Sequence, residues 1–508
     1  VSWNSSLRET NLAELLAASC RDSRKPFLLC DDGRQFTRAA FHALAGQLAQ
    51  QLLAAGARPG DRIAVQVDKS VEAVALFWAC ARAGLVYLPL NTAYTASEVS
   101  YFLMDARPAI FITTPARDEE MRGVAGSCGV DAVLTLDDAG GGTLMEGQGP
   151  QLAADAPCRW DDVVAILYTS GTTGRSKGAM LSHGNLASNA LALVDVWRFS
   201  SADRLIHALP VYHTHGLFTA FNTLLLSGGQ ILFRRKFEAD DVMVLMPQAT
   251  SLMGVPTFYT RLLRHPGLSA EATAHMRLFI SGSAPLLAET HKAFAARTGH
   301  AILERYGMTE TSMNTSNPCD GERRAGTVGF ALPHVDVRIT DAASGDLRCQ
   351  GEMGMIEVRG PNLFKGYWRN PQKTAEAIRA DGYFITGDLG HFDDQGYLVI
   401  SGRAKDLIIT GGFNVYPKEI EELVDGMDGV IESAVIGLPH TDFGEAVTAV
   451  VVAREAIDEA ALIARLRQKL AAFKVPKRII AVPELPRNAM GKVQKSALRE
   501  RLAGLYRT

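Results

Sequence analysis

Residues 36–136 alternate between two periodicities, and few folds accommodate that alternation. "FTRAAFHALAGQLAQQLLAAGARPG" carries apolar residues at helical spacing, stops at Gly56 and has Pro59 just beyond. "RIAVQV" follows as a short, nearly continuous apolar run, which reads as a buried strand. "SVEAVALFWACARAG" returns to helical spacing, with Ser70 as its N-cap and Gly84 at its end. "VYLPL", "AIFITT" and "AVLTL" then read as strands. Strands separated by helical segments predict an α/β fold with a mostly parallel sheet wrapped by helices.

The rhythm continues downstream. Strands are expected at Val163–Tyr168, Leu205–Leu209, Gln230–Phe233 and Leu278–Ser281. "GYLVISGRAKDLIITGG" reads as two short strands around a polar turn, and "NVYPKEIEELV" as a helix with Pro417 near its first position. "ESAVIGLP" and "AVTAVVVA" read as strands and "DEAALIARLRQKLAAF" as a helix. The expected division is a large βαβ-rich domain over 1–402, a joint at 403–406 and a small α+β domain over 407–508.

A chain of 508 residues that is 47% hydrophobic, with net charge −3, has ample material for a core and an ordinary soluble balance. No apolar run approaches the ~20 residues that span a bilayer. "LAELLAASC" resembles a lipoprotein cleavage site, but Glu9 and Glu14 interrupt it and no basic stretch precedes it, so no leader is read there and a cytoplasmic location is expected. The seven cysteines are scattered without metal-binding spacing, which favours reduced thiols over a disulfide framework. Residues 461–508 hold 12 Lys/Arg against two Glu. Without aromatic interleaving or a recognition motif, this basic tail does not point to nucleic acid. A lid over a polyanionic small molecule fits it, as does a solvated basic face.

The stretch "YTSGTTGRSKGAM" (168–180) follows the strand "VVAILY". A Walker loop needs Gly-Lys-Ser/Thr after its second glycine, and here Gly174 is followed by Arg175, Ser176 and Lys177. A glycine-rich turn after a buried strand still lets backbone N–H groups approach anionic oxygens, with hydroxyl donors and a lysine added. Taken alone, a flexible loop would look the same.

Five further segments, in order, decide the matter: "SGSAPL" (281–286), "ERYGMTET" (304–311), "YFITGDLG" (383–390), "SGRAKDLIITGGFNVYPKEIE" (401–421) and "LPRNAMGKVQK" (485–495). Together these strings resemble the adenylate-forming superfamily of acyl-CoA synthetases, adenylation domains and luciferase, over nearly the whole chain. The resemblance implies ATP, Mg2+ and coenzyme A as reactants, and a small domain that is mobile. It implies that Thr169, Ser170, Gly171, Thr172, Thr173, Gly174 and Lys177 hold the outer phosphates of ATP. Gly282, Ser283, Ala284 and Tyr306 would enclose adenine, within an ATP-binding stretch that includes Glu304, Arg305, Gly307 and Met308. Thr309 would meet the α-phosphate, Glu310 with Thr172 would hold Mg2+, and Asp388 and Arg403 would take the ribose hydroxyls. Lys492 would bridge the substrate carboxylate and the α-phosphate, Lys405 would be the hinge, and Gly411, Gly412 and Phe413 would face CoA.

The acid is a separate question, because a fold does not set a substrate. Val255-Pro256 should start a helix on which Thr257 and Arg261 share a face. If that face lines the pocket, Arg261 awaits a second carboxylate; otherwise it lies on the solvent side of an amphipathic helix. "HALPVYHTHGL", "MGVPTFYTRLL" and "LFISGSAPLL" are similar to malonyl-CoA synthetases. That similarity implies a small dicarboxylic acid, malonate or methylmalonate, with Arg261 and Ser283 at its distal carboxylate and His207 catalytic beside the reacting one. His207 could equally be a satisfied core histidine, and His213 and His215 resemble metal ligands in a family with no metal there. "RRK" (234–236) is a candidate for CoA phosphates. Another small acid, or loading of a carrier protein, are the alternatives.

Overall fold

The computed structural model describes residues 11–20, 24–146, 150–169, 176–488 and 491–506. Two large sheets dominate it. The six-stranded sheet runs Ala132–Thr135, Ile110–Thr113, Arg62–Gln66, Val86–Pro89, Val163–Thr169 and Lys177–Ser182, parallel except for the last strand. The nine-stranded sheet has six parallel strands at its centre, in the order Leu303–Met308, Leu278–Ser281, Ser251–Gly254, Arg204–His207, Gln230–Phe233 and Pro26–Cys30. Antiparallel strands close both of its edges. The predicted α/β class is thus the observed one.

Local chemistry explains the helices between these strands. Helix Val71–Ala83 begins where the Ser70 hydroxyl accepts the Ala73 N–H, and ends at Gly84 in the left-handed region (φ +69°). Every residue of that helix is buried, which is why its apolar pattern runs all round rather than down one stripe. Helix Pro256–Arg264 starts with proline at its first position, as expected.

A four-stranded antiparallel sheet (Asp336–Thr340, Gly354–Arg359, Phe384–Phe392, Leu398–Arg403) follows the large sheets. The turn Ala404–Asp406 connects it to a five-stranded sheet built from residues 408–481, with helix Pro417–Asp425 packed on it and a separate apolar core. Among the described residues, no helix is long and apolar enough to cross a membrane.

Arg38 is buried at 2% exposure and donates to the carbonyls of Leu224, Leu225 and Gly229, over the face of Phe27. It thereby caps the C-terminal end of helix Thr223–Ser227, whose last carbonyls have no helical partner. Arg38→Leu should leave those carbonyls buried without a donor and lower stability by about 2–4 kcal/mol, measured by urea unfolding.

Candidate active site

The carboxyl ends of the central parallel strands face one large cavity of about 1230 Å³. This is where an open α/β sheet positions a ligand. Loops after Arg204–His207 and Leu278–Ser281 supply Tyr212, His213, His215 and Ser283 to one end of it. Thr169, Ser176, Lys177, Glu310 and Tyr367 form another part of its wall. The small domain contributes Asn488 and Lys492, and the connecting turn contributes Ala404 and Lys405.

The first end is organised around Arg305. Its side chain is buried, and Nε and Nη2 have no hydrogen-bond partner among the described residues. Burial pulls its pKa down to about 9, so the guanidinium stays charged at neutral pH. Gly282 makes room for it: a Cβ there would fall 2.2 Å from the Arg305 Cζ. Ser283 adopts φ +69°, a left-handed conformation that costs a serine energy, and its Oγ lies 3.2 Å from His215 Nδ1. His215 Nε2 is also buried without a partner. Burial, reinforced by the nearby Arg305, holds His213 down to about 4 and depresses His215 strongly, so both imidazoles are neutral. The result is one unpaired cation among neutral polar groups, and a buried cation without a carboxylate is a seat for an anion.

The Lys177 end has a different chemistry. Tyr367 donates to Glu310 Oε1 at 3.0 Å, and the Lys177 ammonium lies over the Tyr367 ring at 4.4 Å. Glu310 is buried yet faces the cavity. A single carboxylate beside a lysine suits a magnesium ion that takes its other ligands from phosphate oxygens. Between the two ends, Arg403 pairs with Asp388 at 2.8 Å, and Tyr306 donates to the second Asp388 oxygen at 2.6 Å. The Lys492 turn is fixed by reciprocal hydrogen bonds with Asn488. The Lys492 side chain is open to the cavity but enclosed by protein on its other sides. That enclosure, with Arg403 nearby, lowers its pKa from the usual lysine value.

Residues 17–368 match the AMP-binding enzyme family, and residues 419–492 match the AMP-binding enzyme C-terminal domain. The chain belongs to the AMP-binding enzyme family. It is 35% identical to a feruloyl-CoA synthase of Amycolatopsis sp over 92% of this chain and 94% of that one. It is 34% identical to a malonate–CoA ligase of Arabidopsis thaliana over 90% and 80%, respectively. The crystal structure of ATP-bound MatB from Rhodopseudomonas palustris superposes with a TM-score of 0.96 at 56% identity, covering 98% of this chain and all of that one. As an AMP-forming acid–CoA ligase of the adenylate-forming superfamily, the protein uses ATP, Mg2+ and CoA.

Two sequence expectations are corrected by these positions. Arg261 is exposed on helix Pro256–Arg264 and is not on the cavity wall; it occupies the solvent side of an amphipathic helix. His207 is completely buried, hydrogen-bonded through both ring nitrogens to Lys69 and the Gly216 carbonyl and packed against Phe221 and Phe233, and it does not line the cavity. The cavity histidines are His213 and His215, which the sequence reading set aside.

The remaining candidates divide. Ser283, Arg305, Gly307, Met308, Thr309, Glu310, Thr169, Lys177, Arg403, Lys405 and Lys492 line the cavity. Gly282, Ala284, Glu304, Tyr306 and Asp388 stand behind its wall. Glu304 turns to the side opposite Arg305, accepts the Gly326 N–H, and is pushed up to about 8 by burial. Gly411, Gly412 and Phe413 sit on an exposed hairpin of the small domain, with Phe413 stacked on Phe473. Arg234, Arg235 and Lys236 are each paired with carboxylates, which leaves them poor partners for CoA phosphates. Ser170, Gly171, Thr172, Thr173 and Gly174 lie outside the described residues.

Gly307 fixes the loop that carries Met308, Thr309 and Glu310. A Cβ there would lie 1.9 Å from the Ser312 carbonyl, at a register shift in the hairpin of Leu303–Met308 with Ser312–Ser316. Gly307→Ala should displace Glu310 by the order of an ångström and cut ATP–pyrophosphate exchange by about a hundredfold.

Proposed function

We propose that the protein ligates malonate, with methylmalonate as an alternative acid, to coenzyme A through an acyl-adenylate, releasing AMP and pyrophosphate. The observation that carries the choice of acid is Arg305. A monoacid would leave its guanidinium buried and unpaired, a cost that a second carboxylate removes. The neutral His213 and His215 and the Ser283 hydroxyl can hydrogen-bond that carboxylate without adding charge. The MatB likeness and the malonate–CoA ligase relative support the reading. The feruloyl-CoA synthase and an indoleacetate–CoA ligase relative, at 35% and 33% identity, mean that sequence similarity alone does not choose the acid.

In the first step a carboxylate oxygen attacks the α-phosphorus and the bond to the β-phosphate oxygen breaks. Two anions must meet, and the Lys492 ammonium between them lowers the repulsion and stabilises the charge that builds on phosphorus. Lys177 is proposed to hold the pyrophosphate end, and Thr309 the α-phosphate. Asp388 and Arg403 would take the ribose, and Tyr306 would stand behind the adenosine. Mg2+ held at Glu310 would neutralise phosphate charge as pyrophosphate leaves. In the second step the CoA thiol attacks the acyl carbon and AMP departs. We assign the pivot between steps to Lys405 in the Ala404–Asp406 turn, and the approach of CoA to the Gly411–Gly412 hairpin. Both glycines have φ in the left-handed region and open space where a Cβ would be.

Arg305→Leu should reduce kcat/KM for malonate by at least about a hundredfold more than for butyrate. Equal losses on the two acids, measured by AMP release, would remove the diacid reading. Lys492→Ala should slow adenylate formation about 10²–10³-fold. Thioester formation from supplied malonyl-adenylate and CoA should continue at close to the wild-type rate; matching losses in both half-reactions would refute the role given to Lys492.

A further inference from the structure

Lys69 lies in the loop between strand Arg62–Gln66 and helix Val71–Ala83, away from the cavity wall. Among the described residues no carboxylate pairs with it. Its ammonium instead meets three acceptors: His207 Nδ1 at 2.8 Å, the His207 carbonyl at 3.1 Å and the Arg234 carbonyl at 2.6 Å. Burial holds the Lys69 pKa well below the usual lysine value, and these three contacts fix its nitrogen in place. It also sits over the Phe233 ring, 4.6 Å from the centroid. His207 ends one strand and Arg234 follows the next, so Lys69 ties together the carboxyl ends of two paired parallel strands.

The state of His207 follows from its contacts. A ring nitrogen facing a carbonyl oxygen must donate, and burial keeps the imidazole neutral, so the N–H is on Nε2 and Nδ1 accepts from Lys69. That N–H donates to the Gly216 carbonyl at 2.8 Å. Gly216 is the second residue of a π-helix, His215–Asn222, a form concentrated at functional sites. Its other side is pressed on Pro210, whose carbonyl oxygen would be 2.1 Å from a Cβ. The hydroxyls of Thr214 and Thr219 and both amide atoms of Asn222 are buried without partners among the described residues, so these side chains add no hydrogen bond to the apolar packing of the π-helix. The clamp on Gly216 is a side-chain hydrogen bond that reaches its backbone. The adjoining residues are His215, bonded to Ser283, and His213 on the cavity wall.

We propose that Lys69 is a positioning residue for acid recognition: through His207 and the Gly216 carbonyl it sets the start of the π-helix, and so the seat that His213, His215 and Ser283 form beside Arg305. The proposal rests on reading that end of the cavity as the acid site.

The test is steady-state kinetics of the full-length enzyme, with malonate, butyrate and ATP varied in turn. Lys69→Met keeps the side-chain length and removes the donors. His207→Leu removes the link to Gly216, and His207→Gln retains a donor for it. Lys69→Met and His207→Leu are expected to raise KM for malonate about tenfold or more and to lower the malonate-to-butyrate ratio of kcat/KM, with KM for ATP within about twofold of wild type. His207→Gln should keep most of the ratio. In an Arg305→Leu background, Lys69→Met should lower the ratio no further, because both changes act on the same seat. A uniform loss on both acids and ATP, with the ratio unchanged, would make Lys69 a purely structural residue and overturn the proposal. If Lys69→Met does not fold, the comparison of His207→Leu with His207→Gln carries the same decision. A wild-type preference for butyrate would instead defeat the diacid reading, and the acid-against-ATP split in KM would still decide the role of Lys69.

Discussion

The geometry of the cavity end proposed to seat the acid depends on one unsatisfied charge. Arg305 reaches the cavity from the middle of a buried strand, passes over a glycine that leaves it space, and meets no carboxylate among the described residues. Around it the fold supplies only neutral partners. Burial and the guanidinium itself keep His213 and His215 unprotonated, so the two imidazoles add no positive charge beside it. That restraint matters because additional buried cations would each need solvation the site does not offer. The strained Ser283 conformation and the π-helix are both local departures from regular structure, and both occur within this seat. Strain of this kind persists where surrounding packing over-determines it.

A second set of contacts joins the nucleotide side to the small domain. Asp388 holds Arg403 on one oxygen and Tyr306 on the other, so a strand of the nine-stranded sheet and the last strand before the connecting turn share one carboxylate. Asp406, at the end of that turn, pairs with Arg499 in the C-terminal helix. The joint is therefore bracketed by ion pairs on both sides, while Lys405 between them faces the cavity and, among the described residues, forms no ion pair with a carboxylate. A short segment of this kind can absorb a large change of backbone angle while each flanking unit keeps its packing.

Much of this was legible from the sequence, for identifiable reasons. Ser70, Gly84 and Pro256 mark helix ends because capping is a local interaction. Lys177, Glu310 and Lys492 could be named because each lies in a string whose residues act together. The resemblance takes Arg305 with the nucleotide-binding string as one unit, whereas the acid seat proposed above takes it apart from its neighbours. Strand alternation was the overlooked signal: residues 304 and 306 take one face of the strand Leu303–Met308, and 305 takes the other. Helical spacing leaves Arg261 open between pocket and solvent, because spacing cannot say which face of a helix meets the core; the similarity to malonyl-CoA synthetases is what points it to the pocket. His207 likewise enters through that similarity, and its sequence context leaves a satisfied core histidine equally open. Its burial comes from Phe221, Phe233 and Lys69, residues distant in sequence that only the folded chain brings together. The strands Lys177–Ser182, Ser312–Ser316, Asp336–Thr340 and Gly354–Arg359 escape a reading by periodicity because short antiparallel strands with mixed polarity leave little periodic trace.

The glycine beneath Arg305 links two positions that are far apart in the chain. Any side chain at residue 282 would occupy the volume of the guanidinium, and a smaller residue at 305 would leave a void above a bare backbone. Neither position can change alone without either expelling a charge or opening a cavity. Where a descendant of this chain turns to an uncharged acid, the two residues should be found substituted as a pair, so that the record of which acid an ancestor used is written jointly at 282 and 305.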